Sequence, residues 1–395
     1  MEYFTLGEED LISKGALNTA KEIHEQPLIW NLTYAKLAAE QKDIAGFWNM
    51  ALKNSREIIL TGAGTSAFIG YSLEGTFQRH TGITTVSVPT THLVTHPEDY
   101  LRADGPILVI SFARSGNSPE SVAAVRWVDR ICKDCYHFVI TCDKDGQLAN
   151  YKSGNKKYTF VLPPESNDKS LAMTSSYTSM LLTGLLMARF KELSTLKEQV
   201  RFCAKYGRTV IDEYTTTLKE IAKLDFERAV FLGSGPLFGT AMESHLKLQE
   251  LTDGQIICKS DSFLAFRHGP KAVINEKSIV VFLFSNRETV QRYEKDLVKS
   301  MRRGKKAMRL IGVSEKPLAG ITLDHAICFS GTGSGIEEEY LAVCSVLPAQ
   351  ILGLFKSLEL GLKPDNPSVS GAISRVVEGV VIYEGEYPPM HNHHP

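Results

Sequence analysis

The chain of 395 residues has the composition of a globular protein, with 43% apolar and 23% charged residues. Its 44 lysines and arginines and 45 aspartates and glutamates give a net charge of −1, which argues against a nucleic-acid surface or an anionic-membrane binder. The N-terminus lacks the basic and apolar regions of a secretory signal, and no apolar run approaches the roughly 18 residues of a membrane span. We therefore expect a cytoplasmic protein of two or three domains with a small-molecule ligand.

The predicted elements begin with helices and continue as an alternation of strands and helices. Residues 8–57 have a helical pattern, which Pro27 should break before a second helix from about Leu28 to Leu52. Five short strands follow, at 56–60, 84–88, 106–110, 137–141 and 159–162. This alternation predicts an α/β fold with a parallel sheet that has helices on both faces.

The same order of elements returns in the second part of the chain. Two apolar strands again end in turns before helices, at 228–232 and 278–284. Gly62 corresponds to Gly233 at an offset of 171, and Ser111 to Ser285 at an offset of 174. We predict a tandem duplication of one doubly wound domain. The predicted organisation is a helical segment at 1–50, a first domain at 51–200, a second domain at 201–395 and a polar helical connection at 191–227.

The turn at 111–121 follows an apolar strand and opens a helix, a place suited to a phosphate group. Ser118 fits the helix N-cap and Pro119 the first helical position, where free N–H groups and the helix dipole attract anions. Gly116 permits close approach, and Ser115 adds a hydroxyl donor. The alternative is an ordinary capped turn, in which serine, glycine and proline are also common.

A second polar turn, Thr61–Ser66, should face the same crevice, because the carboxyl ends of parallel strands meet at one edge of the sheet. Thr65 and Ser66 would then add hydroxyls to the same ligand. The turn is neither a Walker loop nor a complete dinucleotide fingerprint, so we predict no nucleotide cofactor.

The second part of the chain offers different chemistry. Its counterpart of the serine turn, 285–289, lacks glycine, and Glu288 would occupy the helix N-terminus as a built-in anion, so we expect no phosphate there. An earlier helix carries three charged residues at i, i+4 and i+7 on one face: Glu243, Lys247 and Glu250. The alternative for these three is a solvated charged face with an i,i+4 pair.

His268 lies in a tight His-Gly-Pro turn that would hold its imidazole in one place. Histidine is the side chain whose proton moves near neutral pH, which makes it a candidate acid or base. The alternative is a satisfied core or turn histidine without a catalytic role.

The seven cysteines are scattered, as expected of reduced thiols. Cys132 and Cys135 form a CxxC pair, but no second pair or nearby histidine completes a zinc site, so no metal is predicted. The C-terminal histidines His391, His393 and His394 are interpreted as part of a frayed terminus in preference to a metal site.

In their order and spacing, these motifs resemble the sugar isomerase (SIS) domain family in tandem, as in the isomerase half of glucosamine-6-phosphate synthase. The resemblance covers about residues 18–380 and is carried by Lys21–Pro27, Ala63–Ser66, Ala113–Ser118, Glu243–Glu250 and Arg267–Pro270. A narrower set is similar to the AgaS group, usually named tagatose-6-phosphate ketose/aldose isomerases: Leu60–Ser66, Ser170–Thr174 and Pro364–Pro367.

The resemblance implies two tandem SIS domains and conversion of galactosamine 6-phosphate to tagatose 6-phosphate with release of ammonia, without a metal or cofactor. The implied catalytic residues are Glu250, which moves a proton between C2 and C1, His268, which opens the ring, and Lys247. The implied phosphate- and substrate-binding residues are Gly64, Thr65, Ser66, Arg114, Ser115, Gly116, Asn117, Ser118, Leu171, Ala172 and Arg375. A homodimer or higher oligomer is expected, because in related enzymes the histidine comes from a neighbouring subunit.

The sequence also departs from the synthase pattern. Ala113 and Ser118 replace a serine and a threonine, Arg114 replaces a glutamine, and Arg375 stands where the synthase has a catalytic lysine. No glutaminase domain precedes the first SIS pattern, which disfavours synthesis of amino sugars. The alternative functions are deamination of glucosamine or fructosamine 6-phosphate and non-catalytic sensing of a phosphosugar.

Overall fold

The computed structural model describes residues 2–304, 306–333, 335–377 and 379–383, so the histidines of the C-terminal tail lie outside the described residues. The chain begins with a small hairpin and three helices: β1 (Glu2–Tyr3), β2 (Leu6–Gly7), α1 (Glu8–Ser13), α2 (Leu17–Ala39) and α3 (Gln41–Asn54). Tyr3, Phe4 and Leu11 are buried, so this segment packs as part of the main core.

The first half then forms a five-stranded sheet with helices between the strands. Its elements are β3 (Glu57–Thr61), α4 (Thr65–Thr81), β4 (Thr84–Ser87), α5 (Thr90–Thr95), α6 (Pro97–Tyr100), β5 (Ile107–Ala113), α7 (Pro119–Ile131), β6 (Tyr136–Thr141), α8 (Gln147–Asn150), β7 (Lys156–Val161) and α9 (Ser175–Ala188). The strand order is β4-β3-β5-β6-β7, and every pair is parallel.

The second half repeats this arrangement after a long connecting helix. Its elements are α10 (Lys197–Ala222), β8 (Arg228–Leu232), α11 (Pro236–Leu251), β9 (Ile257–Asp261), β10 (Ser278–Leu283), α12 (Glu288–Arg303), β11 (Arg309–Ser314), β12 (His325–Cys328), α13 (Glu338–Cys344) and α14 (Leu347–Glu359). The order β12-β11-β10-β8-β9 is that of the first sheet, and again every pair is parallel. The predicted pair of doubly wound domains is confirmed.

Equivalent glycines show how closely the two halves match. Gly64 precedes α4 with φ 54° and ψ −126°, and Gly235 precedes α11 with φ 55° and ψ −129°. Side chains disfavour this positive φ, so glycine is needed in both turns. The strand register corrects one predicted match, because Thr61 pairs with Ser111 whereas Leu232 pairs with Phe282. At the common offset of 171, Ser285 is therefore equivalent to Arg114.

The predicted helix break at Pro27 is wrong, because α2 runs through it from Leu17 to Ala39. Proline removes the N–H that would bond to the carbonyl of Ile23, and Gln26 Nε2 donates to that oxygen at 3.3 Å instead. The ring packs on α10, where a Cβ at Gly207 would lie only 3.0 Å from Pro27 Cγ. Tertiary packing thus overrides the local signal.

The two halves share one interface of helices, in which α4 packs against α11. A Cβ at Gly239 of α11 would collide with the backbone oxygen of Phe68 and the hydroxyl of Ser72, both on α4. The absent side chain therefore lets the two helices approach closely. This contact places the start of α4 beside the middle of α11, which positions the candidate site.

One stretch corrects the expectation about apolar runs. Together α13 and α14 span the 22 residues Glu338–Glu359 and contain an 18-residue window with a mean hydropathy of 1.7, which by length and composition alone would suffice to cross a membrane. The apolar window is 94% buried inside the protein, where α14 packs against α10 and α11. Its apolar surface is therefore covered by neighbouring helices of the core.

Candidate active site

Lys247 joins the two halves of the protein inside the candidate site. Its Nζ donates to Thr65 Oγ1 at 3.1 Å and lies 2.5 Å from Glu250 Oε2 and 3.3 Å from Glu243 Oε1. Thr65 begins α4 at the carboxyl end of β3, whereas the other three residues lie on α11. The structure thus brings together Thr65, Lys247 and Glu250, which the sequence placed in different domains.

The solvated-face interpretation of this helix is wrong, because Glu243 and Lys247 are both 0% exposed. Burial raises the pKa of Glu243 to about 8, although the ammonium of Lys247 opposes the shift. Burial by itself would lower the pKa of Lys247, but the carboxylates of Glu243 and Glu250 together raise it above its ordinary value. The side chain of Glu250 keeps 22% exposure, so this carboxylate is the one of the pair that a ligand can reach.

The serine turn at 114–118 is held in shape by the segment that begins α8. Gly116 has φ 65°, and a Cβ there would lie 3.1 Å from Leu148 Cβ. The carbonyl of Gly116 accepts from Leu148 N, and Asn117 Oδ1 accepts from Gln147 N, each at 2.9 Å. Ser118 is the N-cap residue of α7 as predicted, but its Oγ lies 2.5 Å from Ser121 Oγ and caps no backbone N–H.

Leu171 and Ala172 lie in a buried loop, 167–174, that two acidic residues support. Asp168 accepts from three backbone N–H groups at the start of α9, those of Thr174, Ser175 and Ser176 at 2.9–3.0 Å. Glu22 of α2 accepts from Lys169 N at 2.5 Å and from Ser170, and burial followed by the nearby Asp168 raises its pKa to about 8. These supporting roles were missed, although Glu22 stands inside the Lys21–Pro27 motif.

The C-terminal segment returns to this loop. The carbonyl of Asp365 accepts from Leu171 N at 2.9 Å, and its carboxylate accepts from the backbone N–H groups of Asn18 and Thr19 at the start of α2. Farther along, Val369 N donates to Asp253 Oδ2 at 3.2 Å, just beyond the end of α11. The segment thus contacts both halves next to the candidate site.

Arg114 and Arg375 tie this segment to the loop. The buried Arg114 donates to the carbonyls of Ser170 and Leu171 at 3.3 and 3.0 Å and to that of Arg375 at 2.5 Å. Arg375 donates through Nε to the carbonyl of Asp168 at 3.1 Å. Both guanidinium groups therefore have structural partners, a role that the sequence did not predict.

The turn of the second half is filled by carboxylates. Ser285 N donates to Glu294 Oε2 at 3.1 Å, Ser285 Oγ donates to Glu338, and Asn286 Nδ2 donates to Glu315 Oε2 at 3.0 Å. Glu288, the predicted built-in anion, begins α12 and is 83% exposed at its side chain. The expectation that this turn binds no phosphate stays a prediction, but the acidic side chains that occupy it are those of Glu294 and Glu338.

His268 is exposed and follows a short 3-10 helix, Ala265–Arg267. Within the part of the chain that the structure describes, no hydrogen bond or ion pair joins it to Glu250 or Lys247. Among the described residues, His268 therefore makes no direct polar contact with the other two predicted catalytic residues.

Comparison with known proteins defines the class to which this fold and site belong. Residues 51–189 match the SIS domain family. A solved structure from Clostridium novyi NT superposes with a TM-score of 0.94 at 35% identity, covering 98% of this chain and 100% of that one. The tagatose-6-phosphate ketose/aldose isomerase of Escherichia coli superposes with a TM-score of 0.82 at 34% identity, covering 93% and 96%.

A curated relative narrows the class. The chain is 37% identical to the D-galactosamine-6-phosphate deaminase AgaS of Shewanella sp. (strain ANA-3), over 96% of this chain and 95% of the relative. The chain belongs to the AgaS family of tandem SIS-domain proteins. The resemblance recognised in the sequence is confirmed.

Proposed function

We propose that the chain deaminates D-galactosamine 6-phosphate and isomerises it, giving tagatose 6-phosphate and ammonia. The observation that carries this proposal is the contact of Lys247 with both Thr65 and Glu250, which sets a polar helix start beside a reachable carboxylate. Proton transfer on a phosphorylated sugar needs both an anion-binding turn and a base. The names of the relatives from Shewanella and E. coli support the choice of substrate.

In this proposal, two turns of the first half hold the phosphate: 62–66 and 114–118. They follow β3 and β5, which are neighbours in the sheet, and each leads into the N-terminus of a helix. Doubly wound sheets of this strand order bind ligands at this point. The donors would be backbone N–H groups and the hydroxyls of Thr65, Ser66, Ser115 and Ser118, so the phosphate needs no cluster of basic side chains. Its binding energy would orient the reacting carbons.

Glu250 is proposed as the base. Once the sugar ring is open, its carboxylate removes the proton from C2, the electrons form a C1–C2 double bond, and the proton returns at C1. A single carboxylate serves both carbons because they are adjacent and the intermediate is planar. Lys247, kept as an ammonium by its two carboxylates, would stabilise the negative charge that develops on the C1 oxygen.

Release of ammonia then requires only water. As C1 takes up its proton, the nitrogen on C2 loses one proton and the C1 oxygen gains one, which leaves an imine at C2. Water then adds to this carbon, the C–N bond breaks, and the nitrogen departs as ammonia while C2 becomes the ketone. Overall, one amino sugar phosphate and one water give one ketose phosphate and one ammonia. In this sense the proposed enzyme is a hydrolase as well as an isomerase.

Ring opening is assigned to His268, acting in the site of a neighbouring copy. Its exposed position favours this arrangement over a site within one chain. We therefore propose a homodimer or larger homo-oligomer that works in the cytoplasm. Mixing the inactive variants Glu250→Gln and His268→Asn should restore part of the activity, because some mixed sites would then hold both native residues. If the mixture stays inactive while the subunits exchange, His268 does not act across subunits.

The function itself is tested by supplying galactosamine 6-phosphate and following ammonia and ketose phosphate together. We expect both products in equal amounts. Glucosamine and fructosamine 6-phosphates are run in parallel, and faster turnover of either would overturn the substrate assignment. Tight binding of phosphosugars without turnover of any of them would identify a sensor.

A further inference from the structure

Three potential metal ligands of different types converge in the first half, remote from the candidate active site. Cys135 Sγ lies 3.4 Å from His137 Nε2, which lies 2.8 Å from Asp129 Oδ1, and the sulfur lies 3.8 Å from that oxygen. Asp129 stands near the end of α7, roughly 15 Å along the helix from the serine turn, as 1.5 Å per residue implies. We call this group the Asp129–Cys135–His137 cluster.

The local structure explains why these residues meet. Cys135 directly precedes β6 and His137 is its second residue, so the two side chains lie on the same face of an extended segment. The helix α7 returns Asp129 to that face. Cys135 and His137 are 2% and 0% exposed, and the side chain of Asp129 is 15% exposed, so solvent reaches the cluster from one side.

The distances are near those that one tetrahedral ion requires. With zinc bonds of about 2.3 Å to sulfur and about 2.0–2.2 Å to nitrogen and oxygen, tetrahedral angles separate the ligand atoms by about 3.4–3.6 Å. The three observed separations, 2.8, 3.4 and 3.8 Å, bracket this value. Shifts of a few tenths of an ångström in the side chains would complete the geometry.

Hydrogen bonding alone satisfies this cluster poorly. Both contacts of His137 use Nε2, which either donates one proton or offers one lone pair, so it serves Asp129 or Cys135 but not both. If it serves Asp129, the thiol of Cys135 has only a long 3.8 Å hydrogen bond to the same carboxylate oxygen. Its Nδ1 is buried and has no hydrogen-bond partner among the described residues. The same geometry excludes a Cys-His-Asp relay, in which the two ring nitrogens would contact different partners.

Hydrogen bonds also orient the carboxylate of Asp129, as they usually orient a carboxylate that binds a metal. Ser153 Oγ and Asn155 Nδ2 donate to Asp129 Oδ1 at 2.8 and 2.9 Å, and Tyr151 OH donates to Oδ2 at 2.9 Å. Donors of this kind fix a ligating carboxylate in place. A metal between Oδ1 and Nε2 would replace one hydrogen bond and leave these three intact.

We propose that Asp129, Cys135 and His137 bind a zinc ion, with water from the exposed side as the fourth ligand. A thiolate, an imidazole and a carboxylate suit zinc better than magnesium or calcium. The thiol proton of Cys135 is released to solvent on binding, and the proton of His137 moves to Nδ1. The ion would fasten the end of α7, the start of β6 and the 151–155 loop to one another, which is a structural role.

The CxxC pair of the sequence is thereby reinterpreted. Cys132 is 2% exposed but does not belong to the cluster, whose three ligand atoms lie within 4.8 Å of one another. The partner of Cys135 is a histidine two residues later and an aspartate six residues earlier. Cys132 therefore provides a matched control, a buried thiol three residues away that should not bind the ion.

Cobalt titration of the chelator-treated full-length chain tests the proposal. Cobalt replaces zinc in such sites and shows a thiolate-to-metal absorption band that only a cysteine ligand produces. We expect the wild-type protein to show this band, zinc to abolish it, and zinc to raise the melting temperature. Cobalt held by the histidines of the C-terminal tail would give no such band, since residues 384–395 contain no cysteine.

Variants then assign the ligands. The band should disappear in Cys135→Ser and persist in Cys132→Ser, and Asp129→Asn should weaken zinc binding at least tenfold. No thiolate band in the folded wild-type protein overturns the proposal, as does a band that survives in Cys135→Ser. The wild-type titration remains decisive if a variant does not fold.

Discussion

The turn after β5 in the first half and the turn after β10 in the second half occupy equivalent places, but they present opposite groups to an anion. In the first, 114–118, hydroxyls and backbone N–H groups lie at the start of α7, and Gly116 packs closely against Leu148. In the second, Ser285 already donates its N–H to Glu294 and its hydroxyl to Glu338. Carboxyl groups of the protein thus fill the place that a phosphate would take.

The helices that follow β3 and β8, which are α4 and α11, differ in the charged residues that they carry. On α11, Glu243, Lys247 and Glu250 form the buried charged group, whereas the equivalent positions of α4 are Ser72, Thr76 and Arg79. Under the proposed function, the first half keeps the anion-binding turns and the second half supplies the acid–base side chains. Each copy of the duplicated domain would then have one role, and the close α4–α11 contact brings the two roles together in one site.

The variant Glu250→Gln is the strongest test of this division of roles between the two halves. If the second half contributes the base, kcat should fall by about 10²–10⁴-fold while KM changes little, because the amide keeps the shape but cannot accept the proton. Turnover of galactosamine 6-phosphate measures the effect. Glu288→Gln, which changes an exposed carboxylate of the same half, should leave kcat unaltered. Full activity in Glu250→Gln would remove the base from the second half.

The contact between the halves is tested by Lys247→Met. Lys247 is the buried cationic partner of Glu250 and Glu243, and removing one member of a buried ion pair should cost about 3–5 kcal/mol of stability. The urea midpoint should fall accordingly. Lys223→Met, which removes an exposed lysine paired with Glu220, should cost no more than about 1 kcal/mol. Equal midpoints for the two variants would contradict a structural link through Lys247.

The anion-binding role of the first half is tested by Ser115→Ala combined with Ser118→Ala. Hydrogen bonds to a charged group contribute about 1.5–3 kcal/mol each, so losing two should lower kcat/KM by about 100-fold or more. Inhibition by inorganic phosphate should weaken in parallel. Thr289→Ala, in the equivalent turn of the second half, should change neither quantity. Unaltered inhibition in the double variant would show that the phosphate binds elsewhere.

The local sequence pattern was sufficient to predict much of the fold, because a strand and the turn that ends it are recognised from a few neighbouring residues. The strand 228–232 was predicted with the bounds that the structure has, since a short apolar run before a glycine turn is a strong strand signal. The predicted break at Pro27 was wrong because two residues compensate for the proline in the folded structure. Gln26 supplies a donor in place of the missing N–H, and Gly207 leaves room for the ring. Tertiary contacts of this kind leave no periodic signal.

The candidate site was predicted in its residue types but not in its surroundings. Glu243, Lys247 and Glu250 have the same spacing whether a helix face is exposed or buried. Only the packing of other helices on α11, including the close approach of α4 at Gly239, decides that this face is buried. The partners of Arg114 were equally hidden, because they are backbone carbonyls 56, 57 and 261 residues away. Every residue has a backbone carbonyl, so the sequence carries no mark of such a bond.

The smallest expected effect concerns the carboxylate that fills the turn of the second half. Burial, and then the nearby Glu338, raises the pKa of Glu294 from 4.5 to about 8. Between these two values the folded protein holds a proton that the unfolded chain releases, so this group stabilises the fold below about pH 4.5 and loses that contribution as the pH rises through 8.

Glu294→Gln removes this titration and keeps an oxygen to accept from Ser285 N. Its unfolding free energy relative to wild type should therefore increase with pH, by on the order of 2 kcal/mol between pH values of about 5.5 and 8.5. Urea unfolding at the two pH values measures the change. Asp296→Asn, on the same helix but 65% exposed, should show no such trend. If Glu294→Gln shows none either, the carboxylate is ionised in the folded protein at both pH values, and the turn of the second half holds a permanent anion.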